Sequence, residues 1–247
     1  MEIIMPLILS SIAGFSTLIG CIFVFIKVKK RDEFITFSLA FSLSVMLLIS
    51  ILDLIPSSLP YLGNNVFKSI ILFSIFFVLG FLMVKMINKI IEKEKGSGNN
   101  LYILGILNFI ALIMHNFPEG ILTFMSTYQD FHLGLALCIA IALHNIPEGI
   151  SIAIPIYYAT GSIWKSIKMT LLSGFAEPIG AILAYLILKD YITDEMISMF
   201  LILVAGIMIS LSIEKMLPEA LSYQKKKPLL FGFITGGVVV ILSIIMI

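Results

Sequence analysis

Long apolar stretches separated by short polar connections dominate this chain. Eight of them reach the length of about 20 residues that a helix needs to cross a bilayer. They lie at about residues 4–26, 35–56, 66–88, 101–125, 133–157, 166–188, 196–217 and 228–247. A membrane β-barrel would instead show alternating segments of about ten residues. The pattern predicts an all-α integral membrane protein with eight spans, here numbered 1 to 8, in a single polytopic transmembrane domain over residues 1–247.

The composition agrees with this class. Hydrophobic residues make up 60% of the chain and charged residues 13%, whereas soluble domains carry about 25% charge. The net charge of +1 predicts no bulk attraction to nucleic acid. Cys21 and Cys138 fall inside apolar runs and are interpreted as packing residues, not as a disulfide. The first apolar run lacks a basic n-region and a small-residue cleavage pattern, so we interpret it as a retained span.

Lysine and arginine are concentrated in alternate connections. The first, third, fifth and seventh connections carry Lys27, Lys29, Lys30 and Arg31; Lys89, Lys93 and Lys95; Lys165 and Lys168; and Lys225, Lys226 and Lys227. The even connections hold little beyond Lys68 and Lys189. The positive-inside rule then places the odd connections in the cytoplasm. We expect a multi-pass protein of the cytoplasmic (inner) membrane, with the lipid bilayer as a partner and both termini extracytoplasmic.

The strongest local signal is a seven-residue phrase that occurs twice. It reads His-Asn-Phe-Pro-Glu-Gly-Ile at 115–121 in span 4 and His-Asn-Ile-Pro-Glu-Gly-Ile at 144–150 in span 5. Even a lenient insertion scale assigns about 2.5–3.5 kcal/mol to one charged side chain at the centre of a membrane helix. A phrase that places His and Glu there twice therefore indicates a functional site.

His and Glu four residues apart share one face of a helix. His115 with Glu119 and His144 with Glu148 thus form two half-sites on antiparallel neighbouring spans. Imidazole nitrogens and carboxylate oxygens suit zinc and similar divalent metals, and two carboxylates balance a 2+ charge. We expect these four side chains to bind one divalent cation. A single buried His-x-x-x-Glu pair is more often a structural hydrogen bond, and it is the duplication that favours a metal.

The same phrases contain helix-breaking residues. Pro118 and Pro147 cannot donate to the carbonyls four residues earlier, and a glycine follows two residues after each proline. Irregular backbone at membrane depth is tolerated where it lines a cavity. We therefore expect spans 4 and 5 to be loosened where the ligands lie.

A third phrase, Ser-Gly-Phe-Ala-Glu-Pro-Ile-Gly at 173–180, places Glu177 inside span 6. Glu177 could bridge a second ion beside Asn116 and Asn145, whose amide oxygens adjoin the two histidines. The alternative is a carboxyl that stays protonated and serves helix packing.

Asp53 and Glu214 lie nearer the membrane ends, where they could guide ions or simply be solvated. Each stands shortly before a proline that has a leucine three residues after it, and spans 2 and 7 run in opposite directions. Paired segments of opposite direction are typical of inverted-repeat transporters. His132 falls in the predicted connection between spans 4 and 5 and is interpreted as a solvated loop residue.

The phrases at 115–120, at 144–149 and at Ala176-Glu177-Pro178, together with the eight spans, resemble the ZIP family of divalent metal transporters, most closely its bacterial ZupT-like branch. The resemblance implies a 3+2+3 helix bundle with the outer triplets as inverted repeats around spans 4 and 5. It also implies flow toward the cytoplasm and a homodimer. Many relatives have a His-rich loop between spans 3 and 4, and residues 88–100 contain no histidine.

Carried over residue by residue, the resemblance implies a binuclear metal site. His115, Glu119, His144 and Glu148 would form a zinc-type site. Asn116, Asn145 and Glu177 would hold a neighbouring ion, with Glu119 and Glu148 shared.

The function expected is uptake of divalent transition-metal ions by alternating access, with the metal as substrate and not as cofactor. Zinc is the first candidate, and iron, manganese, cobalt and cadmium remain open because selectivity depends on geometry and metal supply. Two alternatives keep the same residues. One is a metal-selective channel, and the other is an intramembrane metal-dependent hydrolase, which the absence of a His-Glu-x-x-His motif disfavours.

Overall fold

The computed structural model describes residues 3–62, 65–95, 100–188 and 193–246. Within these ranges the chain is helical, with no strand. Eight helices are long and apolar enough to cross a membrane: Ile4–Phe25, Arg31–Ser58, Val66–Ile91, Asn100–Gln129, Phe131–Thr160, Ile163–Leu186, Glu195–Ser222 and Lys226–Ile245. The predicted all-α, eight-span fold is therefore confirmed, with ends that differ from the predicted ones by up to five residues.

Some predictions are not tested by these helices. Lys189 and residues 96–99 of the histidine-free connection lie outside the described residues. Which end of the bundle faces the cytoplasm stays a prediction. Cys21 and Cys138 are both buried and unpaired, as expected, and the Cys138 thiol contacts the carbonyl of Leu9 at 3.2 Å.

Spans 4 and 5 form the centre, and spans 1 and 6, which also contact each other, pack closely against them through small residues. Gly149 of span 5 lies so close to the Thr17 carbonyl of span 1 that a Cβ there would collide with it. Gly120 of span 4 meets the Glu177 carbonyl of span 6 in the same way. Packing this close is typical of small residues at membrane helix interfaces.

Spans 1 and 6 carry a repeat that explains this symmetry. Residues 14–20 read Gly-Phe-Ser-Thr-Leu-Ile-Gly, and residues 174–180 read Gly-Phe-Ala-Glu-Pro-Ile-Gly. Gly14 and Gly174 contact each other's backbone carbonyls, and the rings of Phe15 and Phe175 meet edge to face at 5.0 Å.

Spans 2 and 7 are related in the same way, and both contain π-helix. The π-helical segments are Ser50–Leu54 and Ser212–Met216, and each is followed by a short α-helix with proline near its start. Aligned on Pro56 and Pro218, both segments read Ser-Ile-x-x-x-x-Pro-x-x-Leu. The sequence similarity between spans 2 and 7 therefore corresponds to a structural repeat. The alignment pairs Asp53 with Lys215 and not with Glu214.

The third pair of spans lies on the outside. Span 8 packs along span 2, with Gly232 against the Phe37 carbonyl, and span 3 packs along span 7, with Gly80 against the Leu203 carbonyl. Within the apolar stretch of each helix, only 11% of the residues of span 3 and 22% of those of span 8 are buried. These two helices therefore lie at the periphery of the bundle, with most of their apolar surface exposed.

The prediction of irregular backbone in spans 4 and 5 is wrong, because the irregular segments lie in other spans. Asn100–Gln129 and Phe131–Thr160 run as continuous α-helices through Pro118 and Pro147. The irregular backbone lies in the surrounding spans: a 3-10 segment at Thr17–Phe25, the π-helical segments of spans 2 and 7, a further π-helical segment at Ala184–Leu188 in span 6, and a turn at Phe175, two residues before Glu177. A proline removes one hydrogen bond, and the central helices remain continuous at both prolines while they pack against each other and against spans 1, 2, 6, 7 and 8.

Candidate metal centre

Two adjacent helices supply the core of the candidate site. Spans 4 and 5 are consecutive and antiparallel, joined by Asp130, whose side chain accepts the Leu133 N–H at 2.9 Å and caps span 5. The i, i+4 spacing then directs each His and its Glu toward the partner helix. His115, Glu119, His144 and Glu148 are all buried, the most exposed of them at 4%.

These four side chains converge. Glu119 Oε1 lies 3.1 Å from His115 Nε2 and 3.0 Å from His144 Nε2. Glu148 Oε1 lies 3.4 Å from His115 Nε2. Ligand atoms of His115, Glu119 and His144 all fall within 4.8 Å of one another. Glu148 is not part of this three-residue set, and metal binding by all four side chains stays a prediction.

The remaining three predicted residues adjoin this cluster. Asn145 donates from Nδ2 to the Ala13 carbonyl at 2.9 Å and to Glu177 Oε1 at 2.5 Å. Asn116 donates from Nδ2 to the Ser173 carbonyl at 3.4 Å. A backbone carbonyl can only accept, so these contacts fix each amide with its nitrogen toward span 1 or span 6. The two amide oxygens are left to face other partners.

What remains in the site is a set of oxygens without donors. Five side chains carry a buried oxygen that has no hydrogen-bond partner: Asn116 Oδ1, Glu119 Oε2, Asn145 Oδ1, Glu148 Oε1 and Oε2, and Glu177 Oε2. A buried acceptor without a partner is costly. All of these oxygens are acceptors and the two nitrogens of His115 are also without a partner, so a cation bound among them would satisfy several of these atoms together.

The other predicted residues lie outside this cluster. Asp53 accepts from the Ser57 hydroxyl at 3.0 Å, and its charge still reaches His115 electrostatically. Glu214 is ion-paired with Lys85 at 3.0 Å. His132 is exposed and lies in the first turn of span 5, so its placement in a loop is corrected.

Sequence reasoning missed the part that spans 1 and 2 play in the site. The Ala13 carbonyl orients Asn145, and the Ser42 hydroxyl of span 2 donates to the Pro147 carbonyl at 2.7 Å. A backbone carbonyl leaves no signature in the sequence. The repeat at 14–20 and 174–180 was the available signal, since it pairs span 1 with the span that carries Glu177.

Comparison with known proteins gives a consistent result. Residues 92–245 match the family model described as ZIP Zinc transporter. A protein named Zinc transporter ZupT from Oceanobacillus iheyensis is 35% identical over 99% of this chain and 98% of the relative. Those from Streptococcus mutans and Campylobacter jejuni are each 35% identical, over 97% and 98% of this chain and 96% of each relative.

Eight apolar helices around a buried cluster of histidines, carboxylates and amides define a polytopic membrane transport protein. With these matches over nearly the whole length, the chain belongs to the ZIP zinc transporter family. It is a transporter and not an enzyme, and it is a multi-pass protein of the cytoplasmic membrane.

Proposed function

We propose that this protein carries divalent transition-metal ions into the cytoplasm by alternating access, with zinc as the principal substrate. The observation that supports this most directly is the buried cluster of two imidazoles with unpartnered carboxylate and amide oxygens between spans 4, 5 and 6. Two imidazoles with carboxylates are a ligand set that zinc favours. Iron, manganese, cobalt and cadmium use overlapping ligands, so they are the competitors to test.

The proposed centre holds two ions. His115, Glu119, His144 and Glu148 bind the first through the two imidazoles and the carboxylates between them. Asn116, Asn145 and Glu177 bind the second, with Glu119 and Glu148 shared. Asn145 supports this division, because it lies beside a histidine in sequence and contacts Glu177 in space.

The whole chain is proposed to act as one transport domain. Spans 4 and 5 keep continuous helices that hold the ligands, whereas the surrounding spans contain the 3-10, π-helical and turn segments. Such irregular segments accompany functional movement in many helices. We propose that the outer spans shift against the central pair and expose the ions first to one side and then to the other. The chain has no G-x-x-x-x-G-K-[ST] motif, so we propose that the driving force comes from a gradient or from a partner.

Uptake of radiolabelled zinc into proteoliposomes tests this proposal. We expect Glu148→Ala to abolish uptake, because it leaves His115 without its second carboxylate and removes half of the negative charge of the first site. Glu219→Ala is the matched control, since Glu219 lies at the end of span 7 and hydrogen-bonds Tyr223. Thermal unfolding in detergent checks that both variants fold. Wild-type uptake by folded Glu148→Ala protein would refute the proposed site.

The same assay separates a carrier from a metal-selective channel. A carrier saturates at high zinc concentration, because each transport cycle moves a fixed number of bound ions, whereas a channel gives flux that rises with concentration. We expect saturation, since the candidate ligands are fully buried. The competing metals are added at fixed zinc concentration to rank them.

We also propose that the protein forms a homodimer in the membrane. Spans 3 and 8 supply long exposed apolar faces that a second copy could cover as well as lipid can. Cross-linking in native membranes between single cysteines on these faces, in a background without Cys21 and Cys138, tests this. Absence of any cross-linked dimer from both spans would contradict it.

A further inference from the structure

An apolar groove with a basic rim lies at the end of the molecule that carries the first and seventh connections. Its volume is about 680 Å³. The walls come from the chain between spans 1 and 2, from the start of span 2 and from the start of span 8, and include Val28, Phe34, Phe37, Pro228 and Phe231. This groove is remote in sequence from the metal-centre residues and takes no part in the transport mechanism above.

The groove is built as a slot between two helices. The rings of Phe37 and Phe231 lie 5.7 Å apart, and Gly232 packs directly against the Phe37 carbonyl. The glycine lets spans 2 and 8 close at this depth, while Phe231 remains exposed. The slot therefore opens toward the region that acyl chains occupy, because its helices are membrane spans with exposed apolar outer faces.

Cationic side chains line the rim of the slot. Lys29, Lys30 and Lys227 border it, together with one acid, Glu33. Lys30 is ion-paired with Glu33 at 3.0 Å, and Lys29 and Lys227 have no ion pair within the described part of the chain. The two connections hold seven basic residues against two acids: Lys27, Lys29, Lys30, Arg31 and Lys225 to Lys227 against Asp32 and Glu33.

We propose that this groove binds an anionic phospholipid, with an acyl chain lying along the paired rings of Phe37 and Phe231 and the phosphate between Lys29 and Lys227. Lysine ammonium groups are compact cations that bind phosphate as point charges and can reach the headgroup level from an apolar stem. A free phosphate ion would satisfy the lysines but leave the apolar slot exposed, so the occupant is a lipid. The positive-inside prediction places this lipid in the cytoplasmic leaflet, where anionic lipids attract such basic segments.

The chain's single tryptophan allows a direct test. Trp164 is replaced by Phe, and Phe231→Trp is introduced as a reporter in the slot of the full-length protein. The protein is reconstituted into nanodiscs that contain brominated phosphatidylglycerol or brominated phosphatidylcholine at equal mole fraction. Bromine quenches tryptophan fluorescence on contact, so quenching reports which lipid occupies the slot. We expect phosphatidylglycerol to quench the reporter more strongly, and inorganic phosphate to leave this preference unchanged.

Two controls make the outcome decisive. Leu242→Trp reports from an exposed position far along span 8, and we expect it to show no preference between the lipids. Lys29→Gln with Lys227→Gln should lower the preference at the slot by roughly five-fold for each lysine. Lys168→Gln, an exposed lysine outside the groove, should not. Equal quenching by both lipids, a preference that survives loss of both lysines, or displacement by inorganic phosphate would overturn the proposal.

Discussion

Spans 1 and 6 share one packing motif but differ in chemistry. In each copy a residue of the Gly-Phe-x-x-x-Ile-Gly repeat turns its backbone carbonyl onto a central glycine: Thr17 onto Gly149, and Glu177 onto Gly120. Yet Thr17 uses its hydroxyl within its own helix, donating to the Gly14 carbonyl at 2.5 Å. Glu177 instead directs its carboxylate across to Asn145.

This difference shows which properties belong to the scaffold and which to the site. The glycines and the carbonyls opposite them are symmetric, because both halves must bring a helix close to the central pair. The ionisable groups are not symmetric, since Thr17 carries a neutral hydroxyl at the position where Glu177 carries a carboxyl group. We therefore expect substitutions of the shared positions to act alike in both halves, and substitutions of the unlike positions to act differently.

The largest effect should come from the shared glycines. Gly120→Ala and Gly149→Ala each place a methyl group on a backbone carbonyl that cannot move aside. Overpacking of this kind costs about 1–3 kcal/mol. Both variants should therefore unfold at a lower temperature in detergent than the wild type, by similar amounts, and should transport little zinc.

Gly237→Ala is the control for this pair. Gly237 is also a glycine within a span, but its nearest neighbour beyond the helix is a flexible Leu48 methyl group. Its stability should be unchanged or slightly higher, since alanine favours helix. A loss of stability in Gly120→Ala but not in Gly149→Ala would show that the two halves do not pack against the central helices in the same way.

Substitutions of Thr17 and Glu177, the residues that differ between the two copies, should have a smaller effect. Only the substitution of Glu177 should change metal binding. Glu177→Gln keeps the shape of the side chain but removes its charge, and loss of a polar group that supports a metal centre costs about 10–100-fold in affinity. Thr17→Val loses one hydrogen bond, worth about 1 kcal/mol of stability. Zinc titration calorimetry on the purified proteins should therefore separate them, with weaker binding only for Glu177→Gln. Equal zinc affinity in both variants would place Glu177 outside the centre.

Local properties of the sequence are sufficient to predict the eight spans and the candidate ligands of the first site. Hydropathy depends on composition within one span, and the spacing of His115 to Glu119 depends on helix geometry alone, so both were available before the structure. Backbone irregularity was assigned to the wrong helices, because Pro118 and Pro147 are visible in the sequence but the packing that holds their helices straight is not. The π-helical segments in spans 2 and 7 lie where these two spans contact each other, and that contact is not visible in the sequence.

The similarity between spans 2 and 7 is visible in the sequence as an acid shortly before a proline, but Asp53 and Glu214 do not occupy equivalent positions. Aligned by structure, the repeat keeps serine, isoleucine, proline and leucine, and Asp53 stands opposite Lys215. The conserved part of the repeat shapes the backbone. As in spans 1 and 6, the charged positions differ between the copies.

The smallest effect should come from the acids of spans 2 and 7, and it distinguishes their roles. Asp53 is hydrogen-bonded only to a neutral hydroxyl among the described residues, and its charge reaches His115. Glu214 is neutralised by Lys85 at 3.0 Å.

If Asp53 helps to attract cations toward the centre, Asp53→Asn should lower the initial rate of zinc uptake by about two- to five-fold at low ionic strength. The loss should shrink at high salt, because screening removes long-range attraction. Glu214→Gln should change the rate less at either salt concentration, because its charge is already paired. Initial rates in proteoliposomes over a salt series measure both, and a salt-independent loss in Asp53→Asn would show that Asp53 acts on the site structurally and not through its field.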